Sequence, residues 1–326
     1  MKRRQASATS SNIGCGLNLL SEDDLENIHN HTLDIMSGTG LTFGGKEALE
    51  TFKEAGAQVD EDNFRVKIPP YMVEEAIRRA PSKVTLCGRI PENDLVLEGK
   101  RVYLTPFGCA VTVIDENGEF RESTKQDVDN SGTLTDALDN IDLAFEACTP
   151  RDKDQRMTFL EIYESNSSHT SKNVINTALG KREAQVLIEM AASISGGLQE
   201  LQKRPIVTGC CCPISPLTYP DVITEALAEF AKLGLPYLVV SMALAGATSP
   251  VTLAGLLAMH NAEILAGIVL AQLINPGTPV LYGSASTNLD LRTGNTVVGC
   301  PEMAMVSAGV ACLAQHYRLP SFVAGG

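Results

Sequence analysis

The residues with chemically useful side chains cluster in the last third of the sequence, each at or just after the end of a short apolar segment. These segment-end residues are Cys212, Ser215, Met242, Tyr282, Ser284, Gly325 and Gly326. Glu302 stands in the first turn of a predicted helix after a long loop, where its carboxylate could bind a cation. Loop, packing or helix-capping roles explain each of these residues at least as well. The pattern therefore predicts where a site lies, but not which reaction it performs.

Three adjacent cysteines, Cys210, Cys211 and Cys212, directly follow the first of these apolar segments. Adjacent thiols point in different directions and do not match the Cys-x₂₋₄-Cys spacing of zinc sites, so we predict no metal site. We interpret these cysteines as small buried residues at a strand end, with a substrate-pocket wall as the alternative. An enzyme that uses these cysteines as a thiol site is a further alternative.

His260 lies inside a long apolar helical pattern that begins near Pro250. At about 1.5 Å of rise per residue, it would lie about 15 Å below the end of the preceding strand. We therefore interpret His260 as a packing residue. The sequence offers no Ser–His–Asp set, no Gly-x-Gly-x-x-Gly motif after a strand and no Walker loop.

The elements that must position these residues form a repeated cycle of a buried strand and a helix. Strands are predicted at 143–147, 173–178, 205–209, 236–240, 279–283 and 320–324, and helices at 155–163, 182–194, 221–232, 250–273 and 301–316. Repeated strand–helix units indicate a parallel sheet. Both a (β/α)₈ barrel, here incomplete with about six strands, and a doubly wound sheet fit this pattern.

The N-terminal part follows a different pattern, so we predict two regions, 1–141 and 142–326. The first is an α+β region of helices and a β-hairpin, and the second is the partial barrel. Ser21 and Asp24 predict a capping box at the start of a helix, and Thr124 predicts a second helix start. Alternating residues predict strands at 101–105 and 111–114, and residues 1–17 are predicted to be disordered.

Charge and composition exclude some classes of partner. The 326-residue chain has a net charge of −13, which argues against nucleic acid as a partner. The basic, serine-rich start lacks the apolar run of a signal peptide, so we predict a cytoplasmic protein with free thiols. Glycines and prolines divide the uncharged stretch 233–262, which predicts a buried strand and helix rather than a membrane span.

Several long motifs resemble the trimethylamine:corrinoid methyltransferase family. The longest are Ser-Met-Ala-Leu-Ala-Gly-Ala-Thr-Ser-Pro at 241–250, His-Asn-Ala-Glu-Ile-Leu-Ala-Gly-Ile-Val-Leu-Ala-Gln-Leu at 260–273 and Leu-Pro-Ser-Phe-Val-Ala-Gly-Gly at 319–326. Shorter ones are Cys-Pro-Ile-Ser-Pro-Leu at 212–217, Tyr-Gly-Ser at 282–284 and Gly-Cys-Pro-Glu at 299–302. The resemblance covers almost the whole chain and is strongest after Arg204.

This resemblance implies a (β/α)₈ barrel that transfers a methyl group from trimethylamine to the Co(I) corrinoid of a separate corrinoid protein, in methanogenesis or methylotrophic growth. The corrinoid belongs to that partner, so the chain itself is expected to bind no cofactor or metal directly. A homo-oligomer is expected at full length. Acidic and aromatic side chains suit a methylammonium cation, which makes Tyr282 and Glu302 the candidates, with Ser284, Met242, Cys212, Gly325 and Gly326 beside them.

The end of the sequence resembles the segment that leads to pyrrolysine in one branch of this family. The resemblance implies that an amber-encoded pyrrolysine, the expected catalytic residue, would follow Gly326. We therefore expect an apparent truncation at this position and no methyl transfer by residues 1–326 alone. The alternatives are a methyltransferase for a quaternary amine such as glycine betaine, or a non-catalytic barrel fragment.

Overall fold

A computed structural model of the chain describes residues 19–106 and 108–324. The predicted disorder of residues 1–17 and the predicted site residues Gly325 and Gly326 lie outside these residues. The chain divides into two compact units. The first comprises Thr85–Ala178 and Arg182–Gly209; the second comprises the described residues up to Val84, Leu179–Lys181 and those from Cys210 onward. The sequence-based boundary at residue 141 remains a prediction.

The helices lie in both units. Along the described chain they are α1 (Glu22–Asp34), α2 (Lys46–Glu54), α3 (Pro70–Arg79), α4 (Lys125–Ala137), α5 (Thr158–His169), α6 (Gly180–Ser195), α7 (Leu198–Lys203), α8 (Asp221–Lys232), α9 (Leu253–Ile274) and α10 (Pro301–His316). A π-helical turn, Ile35–Thr39, continues α1, and Pro91–Asn93 forms a 3₁₀ turn.

The strands within the described residues are short, and none of them is longer than five residues. Along the described chain they are β1 (Leu41–Phe43), β2 (Gln58–Asp60), β3 (Arg65–Lys67), β4 (Val84–Leu86), β5 (Leu95–Leu97), β6 (Thr112–Ile114), β7 (Phe120–Glu122), β8 (Leu143–Ala144), β9 (Asn173–Thr177), β10 (Val207–Cys211), β11 (Thr218–Tyr219), β12 (Tyr237–Ser241), β13 (Leu244–Ala245), β14 (Val280–Ser284), β15 (Thr287–Asp290), β16 (Asn295–Val297) and β17 (Ser321–Val323).

Six strands form the main sheet, in the order β17-β14-β12-β10-β9-β8, which confirms the six predicted from the repeated cycle. In the second unit, β14 pairs in parallel with β12 on one side and β17 on the other. In the first unit, β8 and β9 pair in parallel. The division between the units falls inside β10. Strands β12 and β14 are buried along their whole length, as expected of parallel strands covered on both faces.

The second unit also contains two smaller sheets. One has the order β11-β1-β3-β2, so the segment after β10 pairs with the N-terminal part of the chain. The other, β13-β15-β16, is built from the segments that directly follow β12 and β14. The second small sheet is therefore formed by segments that come directly after the carboxyl ends of two main strands.

Helix α9 is buried along most of its length. Every residue from Leu256 to Gln272 is buried, because the helix is apolar on all sides. It begins at the N-cap Thr252, whose hydroxyl accepts a hydrogen bond from Gly255 N at 3.3 Å. Its length and apolar character would suit a membrane span, but 83% of its most apolar 18-residue stretch is buried inside the protein. This burial confirms the predicted core helix.

Several predicted elements have the bounds expected from the sequence. Helices α8 and α10 begin and end at the predicted residues, and Ser21 and Thr124 each complete a capping box. The strand predicted at 101–105 is wrong. Leu104 N and O instead bond to Asp142, and the Tyr103 hydroxyl donates to Val96 O, so these contacts replace a strand ladder.

Candidate active site at the strand carboxyl ends

The parallel register of the second unit brings several predicted site residues to neighbouring strand ends. Ser241 at the end of β12 is opposite Ser284 at the end of β14, and Ser284 is opposite Val323 in β17. The ladder continues past the strands, since Ala285 N donates to Ser241 O at 2.9 Å and Ala324 N donates to Ser284 O at 3.2 Å. Met242 and Ser284 therefore lie on adjacent strand ends, next to the segment that leads to Gly325.

The predicted residues differ in how much solvent they contact. Met242 is 44% exposed, and Cys212 and Glu302 are also exposed, whereas Ser284 is 1% exposed. Ser284 Oγ accepts a hydrogen bond from Ser286 N, so it shapes the turn after β14. Glu302 occupies the first turn of α10, as predicted. Of this set, Met242, Cys212 and Glu302 present surface to which a ligand could bind.

Tyr282 is placed differently from the expected cation-binding wall. Its side chain is fully buried, and its hydroxyl donates to Asn261 Oδ1 of helix α9 at 2.7 Å. Strand side chains alternate between faces, so Tyr282 faces the helix layer and not the opposite face of the sheet. Its assignment to substrate binding stays a prediction, and this enclosure disfavours it.

Glu263 of helix α9 contacts the strand ends, and the sequence did not predict it as a site residue. Its Oε2 accepts hydrogen bonds from Ser215 Oγ at 2.8 Å and from Ser241 Oγ at 2.6 Å. Its Oε1 accepts a third from Leu217 N at 2.8 Å. Burial raises the pKa of this carboxyl group, although the three donors oppose the rise. A single carboxyl group therefore contacts the end of β12 and the loop after β10.

The expected position of His260, below the strand ends, is wrong. His260 Nδ1 lies 3.3 Å from Ser286 Oγ, and Ser286 comes just after the end of β14. The reason is that the chain first forms β13 and a loop before α9 starts, so the first turns of α9 lie beside the strand ends. The packing role itself agrees with the structure, because His260 is fully buried and burial lowers its pKa to about 3.

A chain of hydrogen bonds connects the helix layer to the N-terminal helices of this unit. Asn261 Nδ2 donates to Thr32 Oγ1 and to the Tyr317 hydroxyl, at 2.9 and 2.8 Å. The Tyr317 hydroxyl lies 2.9 Å from His29 Nδ1, and His29 Nε2 lies 2.7 Å from Glu74 Oε1. Because Tyr317 already accepts from Asn261, its own proton points to His29 Nδ1. This network therefore joins helix α9 to α1 and α3, and it reaches the surface only at Glu74, whose side chain is 49% exposed.

The cysteines that end β10 and directly follow it are poorly placed for a reactive thiol site. Burial raises the pKa of the Cys211 thiol well above its ordinary value. Cys212 is exposed as a residue, but desolvation of its sulfur and the nearby Glu263 charge raise its thiol pKa to about 12. Thiols with such pKa values stay protonated at neutral pH, which disfavours the thiol-enzyme alternative. Among the described residues, no group of three or more His, Cys, Asp or Glu side chains could hold a metal ion.

Comparison with known protein families identifies the family of this chain. The profile of the trimethylamine methyltransferase (MTTB) family matches residues 2–326. The chain belongs to this family.

Relatives within the trimethylamine methyltransferase family support this membership. The chain is 44% identical to trimethylamine methyltransferase MttB of Desulfitobacterium hafniense over 96% of its own length and 63% of that protein. It is 38% identical to MttB of Methanosarcina thermophila over 96% of its length and 66% of that protein. It is 35% identical to a glycine betaine methyltransferase of D. hafniense, over 95% of its own length and 64% of that protein. The chain thus spans a little under two thirds of these relatives.

Two solved structures have a fold similar to that of this chain. A hydroxylamine complex of MtmB matches with a TM-score of 0.60 at 11% identity, over 95% of this chain and 64% of that one. The Methanosarcina barkeri monomethylamine methyltransferase MtmB matches with a TM-score of 0.54 at 12% identity, over 98% and 69%. The likeness supports the expected (β/α)-barrel class, of which the described residues supply six strands.

Proposed function

We propose that the protein containing this chain transfers a methyl group from trimethylamine to the corrinoid of a separate corrinoid protein. The observation that carries the proposal is the family match over residues 2–326, together with higher identity to a trimethylamine methyltransferase (44%) than to a glycine betaine methyltransferase (35%). The strand ends add a physical basis, because the exposed Met242 and Cys212 follow the carboxyl ends of the neighbouring strands β12 and β10, where barrel enzymes bind substrates.

In the proposed reaction, one C–N bond of the protonated amine would break, and its electron pair would leave with neutral dimethylamine. The corrinoid of the partner would supply the Co(I) nucleophile that takes up the methyl group. The contribution of the barrel is to hold the amine with one methyl group directed away from the strand ends. Fixing two reactants in line removes an entropic barrier of about 7–11 kcal/mol in well-oriented systems.

Within this proposal, Met242 and Cys212 line the substrate surface, because they are exposed at neighbouring strand ends. Glu302 lies in the first turn of α10 and is exposed, so its carboxylate can attract the cationic amine. The overall negative charge of the chain acts in the same direction. The expected pyrrolysine after Gly326 remains a prediction, and the DNA sequence after codon 326 tests it.

The test is a methyl-transfer assay with the whole protein purified from its native organism. Its corrinoid protein is reduced to the Co(I) state, a methylated amine is added, and the loss of the Co(I) absorbance is followed. We expect turnover with trimethylamine, with one dimethylamine formed for each Co(I) consumed. Glycine betaine is the alternative substrate, so turnover with glycine betaine and not with trimethylamine would replace the proposal. Met242→Ala is expected to weaken trimethylamine use more than Val222→Ala, a substitution at the exposed start of α8.

A further inference from the structure

The loop between β10 and β11 is held by one acidic side chain. Glu263 receives two of its three hydrogen bonds from this loop, namely from Ser215 Oγ and Leu217 N. The loop also closes on itself, since Ile214 and Thr218 exchange backbone hydrogen bonds at 2.8 and 3.0 Å. Leu217 has a positive φ of 54°, a conformation that non-glycine residues rarely adopt. The surroundings of the loop must therefore hold this backbone conformation in place.

The third bond of Glu263 reaches the neighbouring strand. Ser241 Oγ donates to it, and Ser241 directly precedes the exposed Met242. The exposed Cys212 and Ile214 lie at the start of the loop that Ser215 and Leu217 anchor. The carboxyl group thus joins two neighbouring strand-end segments that both carry exposed side chains.

A buried acid in this position is costly for stability alone. Burying an ionisable group in an apolar helix requires compensating hydrogen bonds, and apolar residues of similar volume often serve stability as well or better. From Ile264 to Ala271, helix α9 is apolar apart from Gly267, with Ile264 and Leu265 fully buried. The partners of Glu263 lie on loop and strand-end segments outside its own helix. This arrangement points to a role in fixing those segments.

The carboxyl end of α9 provides an internal comparison. Gln272 is also buried, and it also binds a loop, since Gly277 N donates to Gln272 Oε1 and Gln272 Nε2 donates to Thr278 O, both at 2.8 Å. That loop precedes β14 and lies at the amino end of the strands. Gln272, near the carboxyl end of α9, and Glu263, at its middle, therefore both bind loops outside the helix.

We propose that Glu263 is a positioning residue, which holds the loop Cys212–Leu217 and the end of β12 so that Cys212 and Met242 present a fixed surface to the methylated amine. This proposal deepens the proposed function and rests on it for the identity of the substrate. The structural part, that Glu263 fixes the loop, stands on the three hydrogen bonds alone.

The test compares Glu263→Met with Gln272→Met in the whole protein, because both replacements are close to isosteric and remove bonds to a loop. Both variants are expected to lower stability. Only Glu263→Met is expected to lower kcat/KM for trimethylamine, by about 100-fold, since small misplacements at a reacting centre have effects of that order. Glu263→Gln retains the shape and the acceptor for Leu217 N, and is expected to restore most of the activity.

Hydrogen exchange separates this proposal from the proposed function. Peptides that contain residues 212–217 are expected to exchange faster in Glu263→Met than in the wild type, while Gln272→Met leaves their exchange unchanged. Equal exchange of this loop in the wild type and Glu263→Met would overturn the proposal, as would equal losses of kcat/KM in the two Met variants. If the wild type itself transfers no methyl group from trimethylamine, the proposed function fails, and hydrogen exchange still decides whether Glu263 holds the loop.

Discussion

The hydroxyl of Tyr282 donates a hydrogen bond to Asn261 Oδ1 across 2.7 Å, between strand β14 and helix α9. Tyr282→Phe removes this donor and leaves a buried amide oxygen without it. We expect the free energy of unfolding to fall by about 1–3 kcal/mol, which urea unfolding measures. Tyr237→Phe is the control, because the Tyr237 hydroxyl donates over 3.4 Å to Cys210 O and its loss should matter less. An equal or smaller effect of Tyr282→Phe would contradict this interpretation.

His260 makes the stability of the protein depend on pH. Burial lowers its pKa from 6.5 to about 3, so the unfolded chain takes up the proton first as the pH falls. The stability that the neutral imidazole contributes is complete above pH 6.5, and it is lost between pH 6.5 and 3 by up to about 1.4 kcal/mol per pH unit.

Urea unfolding at pH 7.5 and 5.5 measures this dependence. We expect His260→Gln to reduce the difference in unfolding free energy between the two pH values by about 1 kcal/mol. His31→Gln, at a side chain that is 75% exposed, should leave that difference unchanged. A wild-type pH dependence retained in full by His260→Gln would show that other groups cause it.

Gly267 gives the sheet and helix α9 a close contact. A Cβ atom at this position would lie 2.5 Å from the Tyr219 hydroxyl and 3.1 Å from Val239 Cγ1. Gly267→Ala should therefore displace Tyr219, whose hydroxyl donates to Glu263 O, and lower the unfolding free energy by about 1–3 kcal/mol. Gly38→Ala is the matched control, since nothing lies within 4 Å of the added methyl group. Thermal unfolding of both variants tests the difference; similar midpoints would refute it.

Lys172 stabilises the end of helix α4 in the first unit. Its buried ammonium donates to Leu138 O at 2.9 Å, to Ile141 O at 2.6 Å and to Thr135 O. These carbonyls lie at or just beyond the carboxyl end of α4, where a positive charge is favourable. We expect Lys172→Met to lower the unfolding free energy by about 3 kcal/mol, because three acceptors lose a charged donor. Lys181→Met, at a 53% exposed side chain, should change it little, and urea unfolding compares the two.

The strand–helix cycle could be predicted because its signals are local. Pro301 at the first helical position and Ser21 at a capping box mark helix starts within a few residues of sequence. Buried parallel strands such as β12 form continuous apolar runs, so their existence was also predicted. The same continuity hides their orientation. Val239 and Val240 are both buried, although they face opposite sides of the sheet, and for this reason the sequence could not show which way Tyr282 points.

Glu263 could not be predicted because its partners are distant and carry no sequence signal. Ser215 and Ser241 lie 48 and 22 residues away, and the third donor is the backbone amide of Leu217. A single acid in an apolar helix indicates only that some partner exists. His260 was misplaced for a related reason. Its expected depth was counted from the wrong starting residue, since α9 begins at Leu253, beyond a loop whose path the sequence does not specify.

Helix α9 also affects how mutations along it are tolerated. Amphipathic helices show a repeating pattern in mutational scans, with a tolerant position about every three or four residues on the solvent side. Between Leu256 and Gln272 no residue of α9 faces solvent. A scan of all substitutions should therefore show one uninterrupted run of positions that tolerate few replacements. The replacements that accumulate there during evolution should have side chains of similar volume. Conservation along α9 by itself consequently reports packing, and it does not distinguish Glu263 from its apolar neighbours.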